Sequence, residues 1–345
     1  MERQDYEMAP ILRYENVAWY EDGEVKILDR RCYPHEIRYE ICKSYLDIAN
    51  AIRNMVTQSA GPYTAAGMGM ALAAYEAKVK GLNEIEYLKK AAESISTARP
   101  TTQIRMKKVT DNCLKIADTA LKEGKDIIEE ILKHNYESLN RRYSIMQRVG
   151  NYLADKFDDD SVVMTQCYGE TIVGTMLRAA REKGVNPKFI IPETRPFLQG
   201  ARLTASVISD MGFEHILITD NMAAWAMKYY GVNLFTSAAD TITVDGYVVN
   251  KVGTYQLAIL CNYFDIPYYV TGIPDDIFID KVKIEFRDSK EVLYHAGKKM
   301  TKEGINSVYP SFDICPPELV SGYISDEGIL DLDGLKNYDR KIEFY

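Results

Sequence analysis

From about Ile37 to Gly150 the apolar side chains recur at helix spacing: Tyr45, Ile48, Ile52 and Met55 in one stretch, Leu114, Ile116, Ala117 and Leu121 in another, then Ile127, Ile128, Ile131 and Leu132. Residues three and four apart share a helix face, so the pattern predicts a mainly helical region. Ahead of it, Ala18-Trp19-Tyr20 and Val25-Lys26-Ile27-Leu28 flank Glu21-Asp22-Gly23, which predicts a small β hairpin. After Phe157-Asp158-Asp159-Asp160 the period changes. Short β-rich runs follow, Ser161 to Cys167, Phe189 to Pro192, Ile216 to Thr219, Leu234 to Ser237 and Tyr268 to Thr271. Between them lie helix-length amphipathic stretches near 170–184, 198–212, 221–230 and 253–264. This alternation predicts βαβ units around a mostly parallel sheet. The chain thus divides into a mainly helical domain with a hairpin, 1–150, and an α/β domain, 151–345. Right-handed crossovers bring the C-terminal ends of the strands to one edge, where open α/β sheets bind ligands.

Composition narrows the function classes. With 345 residues, 46% of them hydrophobic, the chain is long enough to bury a sizeable core. A formal net charge of -8 leaves no basic footprint for nucleic acid or an anionic membrane, and no run of about 18 apolar residues is present. Six cysteines without C-x-x-C pairs, and only four histidines, argue against a zinc or disulfide framework and for a reducing, cytoplasmic setting. No Walker A sequence is found, nor a G-x-G-x-x-G at a strand-to-helix junction, so neither device for nucleotide binding is supported. Small ligands and protein partners remain.

The unusual residues fall at the strand ends. Cys167 follows an apolar strand and precedes a helix beginning near Gly169 or Glu170, whose positive end favours a thiolate; the other reading is a small buried hydrophobe. Glu193, Arg195, Gln199 and Arg202 crowd a loop suited to an anion or a polyhydroxyl ligand, unless Glu193 and Arg195 pair and Arg202 faces solvent. Thr219 or Asp220 can cap the next helix. Asp240, after the small residues Ser237-Ala238-Ala239, suits a general acid or base with a raised pKa, or equally a cap or turn. Asn250 and Lys251 precede a Gly253-Thr254 helix start, where a cation and amide donors would gather about a phosphate.

Taken together, the segments resemble the methylthioribose-1-phosphate isomerases, whose superfamily includes ribose-1,5-bisphosphate isomerases and the regulatory subunits of translation initiation factor two-B. The resemblance rests on Glu193 to Thr204, Ile218-Thr219-Asp220-Asn221-Met222-Ala223, Ala239-Asp240, Asn250 to Tyr255, Pro310 to Leu319, Leu28 to Glu36 and Ala98-Arg99-Pro100-Thr101-Thr102, and it covers essentially the whole chain. It implies an N-terminal helical domain, a Rossmann-like second domain and a homodimer formed through the latter. It also implies aldose-ketose isomerisation of a sugar 1-phosphate in methionine salvage, with no cofactor and no metal. The catalytic pair would be Cys167 and Asp240, and the substrate would be held at Ser59, Ala60, Arg99, Gln199, Asn250 and Lys251.

Two departures stand out. Gln58-Ser59-Ala60-Gly61-Pro62-Tyr63-Thr64 occupies the place of the family's usual Arg-Gly-Ala-Pro, so Ser59 replaces an arginine. Arg53, Arg99, Arg105 and Lys251 are the candidate substitutes. Tyr168-Gly169-Glu170-Thr171 follows Cys167 where the family commonly has Asn-Ala-Gly, and brings a negative charge toward the thiol. These changes suggest a paralogue with altered specificity, for 5-methylthioribose 1-phosphate or 5-deoxyribose 1-phosphate. The alternative is a non-catalytic regulatory or scaffold protein of the same fold.

Overall fold

The computed structural model describes residues 2–99, 103–295 and 297–340; Pro100, Thr101 and Thr102 of the sequence motif lie outside them. Two compact units divide between Ile145 and Met146, inside one long helix that also contains the sequence boundary at 150.

In the first unit a short α1 (Tyr14–Val17) leads into the hairpin β1 (Trp19–Glu21) and β2 (Glu24–Leu28), turned by Asp22 and Gly23, both with positive φ. The expected helix from Ile37 is interrupted there: β3 (Tyr39–Cys42) pairs antiparallel with β2, Cys42 opposite Val25, before α2 (Tyr45–Arg53) starts. Ser44 and Asp47 form a capping box that fixes this start. There follow α3 (Gly61–Lys80), α4 (Glu84–Ser96), α5 (Gln103–Glu123) and α6 (Ile127–Ala154). α3 is buried over most of its length, and its small residues let neighbours approach. A β-carbon on Gly69 would lie 2.8 Å from Ile48 of α2 and 3.1 Å from Ile95 of α4.

The second unit builds a seven-stranded sheet from β4 (Val162–Met164), β5 (Lys188–Pro192), β6 (His215–Ile218), β7 (Leu234–Ala238), β10 (Tyr268–Thr271), β14 (Gly322–Ser325) and β15 (Gly328–Leu330). The order is β15-β14-β10-β7-β4-β5-β6, with β15 alone antiparallel to its neighbour. α7 (Glu170–Lys183), α8 (Ala205–Asp210), α9 (Ala223–Tyr230) and α10 (Thr254–Tyr263) lie in the connections, α8 preceded by a π-helical turn at Gly200–Thr204. A second sheet, not expected from the sequence, places β9 (Val248–Lys251) between β8 (Thr241–Ile242) and β13 (Phe312–Cys315). Before β13 the chain makes an excursion with α11 (Lys290–Leu293) and a small pair, β11 (Tyr294–His295) and β12 (Lys298–Lys299); α12 (Leu332–Asn337) follows β15. No helix is long and apolar enough to cross a membrane among the described residues.

Candidate functional site

The chain builds β4, β5 and β6 outward in one direction, then returns to lay β7 on the other side of β4. Where strand order reverses, the two connections leave in opposite directions and open a crevice. Cys167 follows β4 and Asp240 follows β7, so the two residues chosen from the sequence flank that point. Gly169 permits the approach, since a β-carbon there would lie 2.7 Å from Ala238 Cβ.

Cys167 is held in an unusual backbone conformation. Its φ is 59°, and those of Thr194 and Leu198 are 62° and 64°. Left-handed geometry costs a non-glycine residue roughly 1–3 kcal/mol, so local contacts must impose it. The Cys167 N–H donates to Thr194 Oγ1 at 3.2 Å, and the Thr204 hydroxyl donates to the Cys167 carbonyl. Thr194 and Arg195 in turn donate their N–H groups to the two Asp220 oxygens, at 2.8 and 2.7 Å. Asp220 therefore clamps this loop and does not cap α9, which begins without a side-chain cap. Gly200 lets the loop close over β5, because a β-carbon there would lie 1.9 Å from the Pro192 carbonyl oxygen.

Although part of Cys167 reaches the surface, protein atoms pack its thiol and burial pushes it up to about 11. The Lys251 charge pulls it down and that of Asp240 pushes it up, both more weakly. The neutral thiol is therefore the form favoured at neutral pH. Of the two readings of Cys167, the burial favours the small protonated side chain over a thiolate at the α7 start, because desolvation outweighs the helix end.

Lys251 is 3% exposed, and burial pushes its ammonium down to about 8; Cys167, Asp240 and Glu291 raise it and Arg287 lowers it. Its Nζ donates to the Tyr309 hydroxyl and lies 4.5 Å from that ring's centre. Burial lifts Tyr309 to about 12. Thus Cys167, Asp240 and Lys251 lie within one another's electrostatic reach, with Arg287, Glu291 and Tyr309 around the lysine. Pairing of Phe286 with Pro310, and Arg287 N–H donation to the Tyr309 carbonyl at 2.9 Å, draws the excursion against β13. The sequence reading missed these three residues; the signal was Tyr309 directly before the matched run from Pro310 to Leu319.

Other expectations are redirected. The α10 start is not open to a phosphate, because Asp313 already accepts from Gly253 N at 2.6 Å and Tyr255 N at 3.2 Å. Asn250 is buried and donates to Thr254 Oγ1 at 3.0 Å. Arg195 reaches the carbonyls of Val292 and Tyr294, and its charge acts on Glu193, while Arg202 reaches the Phe197 carbonyl. Gln199 is buried, and its Oε1 accepts no hydrogen bond among the described residues. Asp240 is exposed rather than enclosed by apolar groups.

In the helical unit, Ser59 (φ 52°) and Ala60 are half-buried and lead into α3, with Ala60 as its N-cap. Arg99 is buried beyond the end of α4, whereas Arg53 is exposed and bonded to Asn50 at 2.6 Å.

The family described as the initiation factor 2 subunit family matches residues 58–332. This chain belongs to that family. Within it, the methylthioribose-1-phosphate isomerase 1 of Pseudothermotoga lettingae is 35% identical over 318 residues, 88% of this chain and 91% of that protein. The 5-methylthioribose 1-phosphate isomerase structure from Pyrococcus horikoshii OT3 superposes with a TM-score of 0.78 at 28% identity, covering 93% of this chain and 94% of that one. The structure of translation initiation factor eIF-2B, subunit delta, from A. fulgidus gives a TM-score of 0.80 at 27% identity, covering 94% and 99%. The same fold therefore carries both an isomerase and a translation initiation factor subunit.

Proposed function

We infer that this family member is an aldose-ketose isomerase that converts 5-methylthioribose 1-phosphate to the corresponding ribulose 1-phosphate. The observation that carries the reading is the placement of Cys167, Asp240 and Lys251 at one switch point, close enough to shift one another's charge. A scaffold has no use for a carboxyl and a depressed ammonium gathered about a thiol whose own backbone is strained.

The reaction defines what these groups must do. Phosphate blocks the anomeric oxygen, so no free aldehyde forms and the furanose opens with phosphate in place. A proton delivered to the ring oxygen lets its bond to C1 break, the electron pair leaving with that oxygen as the C4 hydroxyl. The C2 hydrogen then moves to C1 while the C2 hydroxyl gives up its proton, leaving a C2 ketone and a C1 methylene that still bears phosphate. One proton enters and one leaves, so a single carboxyl can serve both, and Asp240 takes that role. Cys167 lies beside the migrating hydrogen. If that hydrogen travels as a proton, the thiolate must first be generated, and the Lys251 charge favours it; a hydride shift needs no base. The unpartnered Gln199 Oε1 suits a sugar hydroxyl donor.

Assay of the purified protein with 5-methylthioribose, 5-deoxyribose and ribose 1-phosphates tests the reading. Ketose is expected from the first, and turnover of the second sets the tolerance at C5. No ketose from any would favour the regulatory reading. Deuterium at C2 separates the routes, since proton transfer loses label to solvent and a hydride shift retains it. A homodimer is part of this reading: Trp225 and Tyr229 stack at 4.5 Å on α9, and Ile259 and Tyr263 are exposed on α10, an apolar surface fit for a second copy. Six free thiols suit a reducing, cytoplasmic setting.

A further inference from the structure

Lys251, the last residue of β9, keeps a buried ammonium without a counter-ion. Its Nζ donates to the Tyr309 hydroxyl, and among the described residues no carboxylate lies within ion-pair distance of it. Tyr309 is itself 2% exposed, and its ring faces Nζ, so one residue gives the charge both an acceptor oxygen and a π face. A carboxylate in that place would cancel the positive charge. A phenol holds it and leaves its field to act on the surroundings.

The backbone delivers a second cation to the same place. The excursion pairs antiparallel with the residues leading into β13: Phe286 bridges Pro310, the Ser311 N–H donates to the Glu285 carbonyl at 2.8 Å, and the Arg287 N–H donates to the Tyr309 carbonyl at 2.9 Å. Arg287 is thereby fixed beside Tyr309, its side chain 9% exposed and its Nε paired with Glu285 at 3.2 Å. Its charge bears on both the Tyr309 hydroxyl and the Lys251 ammonium. The other groups that face the lysine are Cys167 after β4, Asp240 after β7, Glu291 on α11 and Asp313 on β13, and each favours the ammonium when ionised. Among these charges only Arg287 opposes it.

We propose that Tyr309 and Arg287 are positioning residues that act through Lys251, Tyr309 steadying its ammonium beside the thiol and Arg287 working against that charge. As a statement about catalysis this rests on the isomerase reading. The two residues pull the lysine in opposite directions. Burial already brings it down to about 8, so losing the Tyr309 hydroxyl should lower it further, and losing the Arg287 charge should raise it.

Two readouts test this in the full-length protein: the Lys251 side-chain resonance against pH, assigned by its loss in Lys251→Arg, and kcat against pH with 5-methylthioribose 1-phosphate. Tyr309→Phe keeps the ring and loses the oxygen. It is expected to lower both midpoints by about one pH unit and the plateau kcat by about tenfold, with KM within about twofold of the parent. Arg287→Met is expected to raise both midpoints by about half a unit, and Arg287→Lys, which keeps the charge, to restore them. A merely structural part for either residue would lower activity without moving the midpoints apart. Should Tyr309→Phe fold poorly, Tyr309→3-fluorotyrosine, a near-isosteric and weaker acceptor, should still lower the Lys251 midpoint by roughly a few tenths of a unit. An unmoved Lys251 midpoint in the phenylalanine or fluorinated protein, or shifts of one direction from Tyr309→Phe and Arg287→Met, overturns the proposal. Midpoints that separate as stated in a protein that makes no ketose would fault the isomerase reading alone.

Discussion

Two helix starts in this chain carry a cation nearby, and they are finished in opposite ways. At α10 a carboxylate of the protein, Asp313, takes the Gly253 and Tyr255 amides, and Lys251 stands beside it, buried against Tyr309. At α3 no side chain caps the helix, and Arg142 meets the Thr64 hydroxyl with no carboxylate partner among the described residues. A helix start already closed by a protein carboxylate has little left for an external anion. The difference is one of closure: the protein's own carboxylate fills the α10 start, whereas no side chain caps that of α3.

The largest effects should come from the chemical pair. Cys167→Ser and Asp240→Asn are each expected to lower kcat by about 10²–10⁴-fold, with the folding transition near that of the parent. Either variant turning over normally would remove its residue from the reaction, and with it the assignment of chemistry to the α10 side.

Next comes Lys251→Met, which sharpens the contrast with Arg142. If α10 is closed to phosphate, the lysine acts on the thiol and the reacting carbons, and the loss should appear mainly in kcat, roughly 10–100-fold. A rise in KM alone would break the comparison and return phosphate to β9. The pH profile bears on the same residue. Its ammonium is pushed down to about 8 by burial, so the charged form is present below that value and lost above it. The rate should therefore fall as pH rises through about 8, by up to about tenfold per unit, and Lys251→Arg should abolish that limb.

Legibility in the sequence followed from how local each signal is. Parallel strands buried on both faces read as continuous apolar runs, which is why β5, β7 and β10 were found close to their observed bounds, whereas β4 stops at Met164, three residues short of the expected Cys167. β9 was hidden because its last residues, Asn250 and Lys251, are polar, and because its partner β13 is distant in sequence. Cys167 and Asp240 stood out because strand ends concentrate function. Their settings did not: the thiol's burial and the exposure of Asp240 depend on packing that no spacing encodes. Tyr309 and Arg287 reach Lys251 through the excursion before β13. Arg142 reads as one more charge on an amphipathic helix, and only packing shows it buried against Thr64.

Asp313 gives the smallest effect and the most direct check that α10 is closed. Burial raises its carboxyl to about 6 from an ordinary 3.8, overriding the Gly253 and Tyr255 N–H bonds that favour the charged form. A group whose folded pKa exceeds its unfolded one contributes stability that is fully present below about 4 and lost as pH rises through about 6. Asparagine cannot ionise but keeps an oxygen for one of the amides. Asp313→Asn should therefore cost most near pH 4, and the gap to the parent should narrow toward pH 7.5, where it should approach the roughly 0.5–2 kcal/mol typical of a helix cap or less. Denaturant midpoints at the two pH values measure it. A gap that widens with pH would mean that Asp313 ionises easily on open backbone, and that the α10 start is as available to an anion as that of α3.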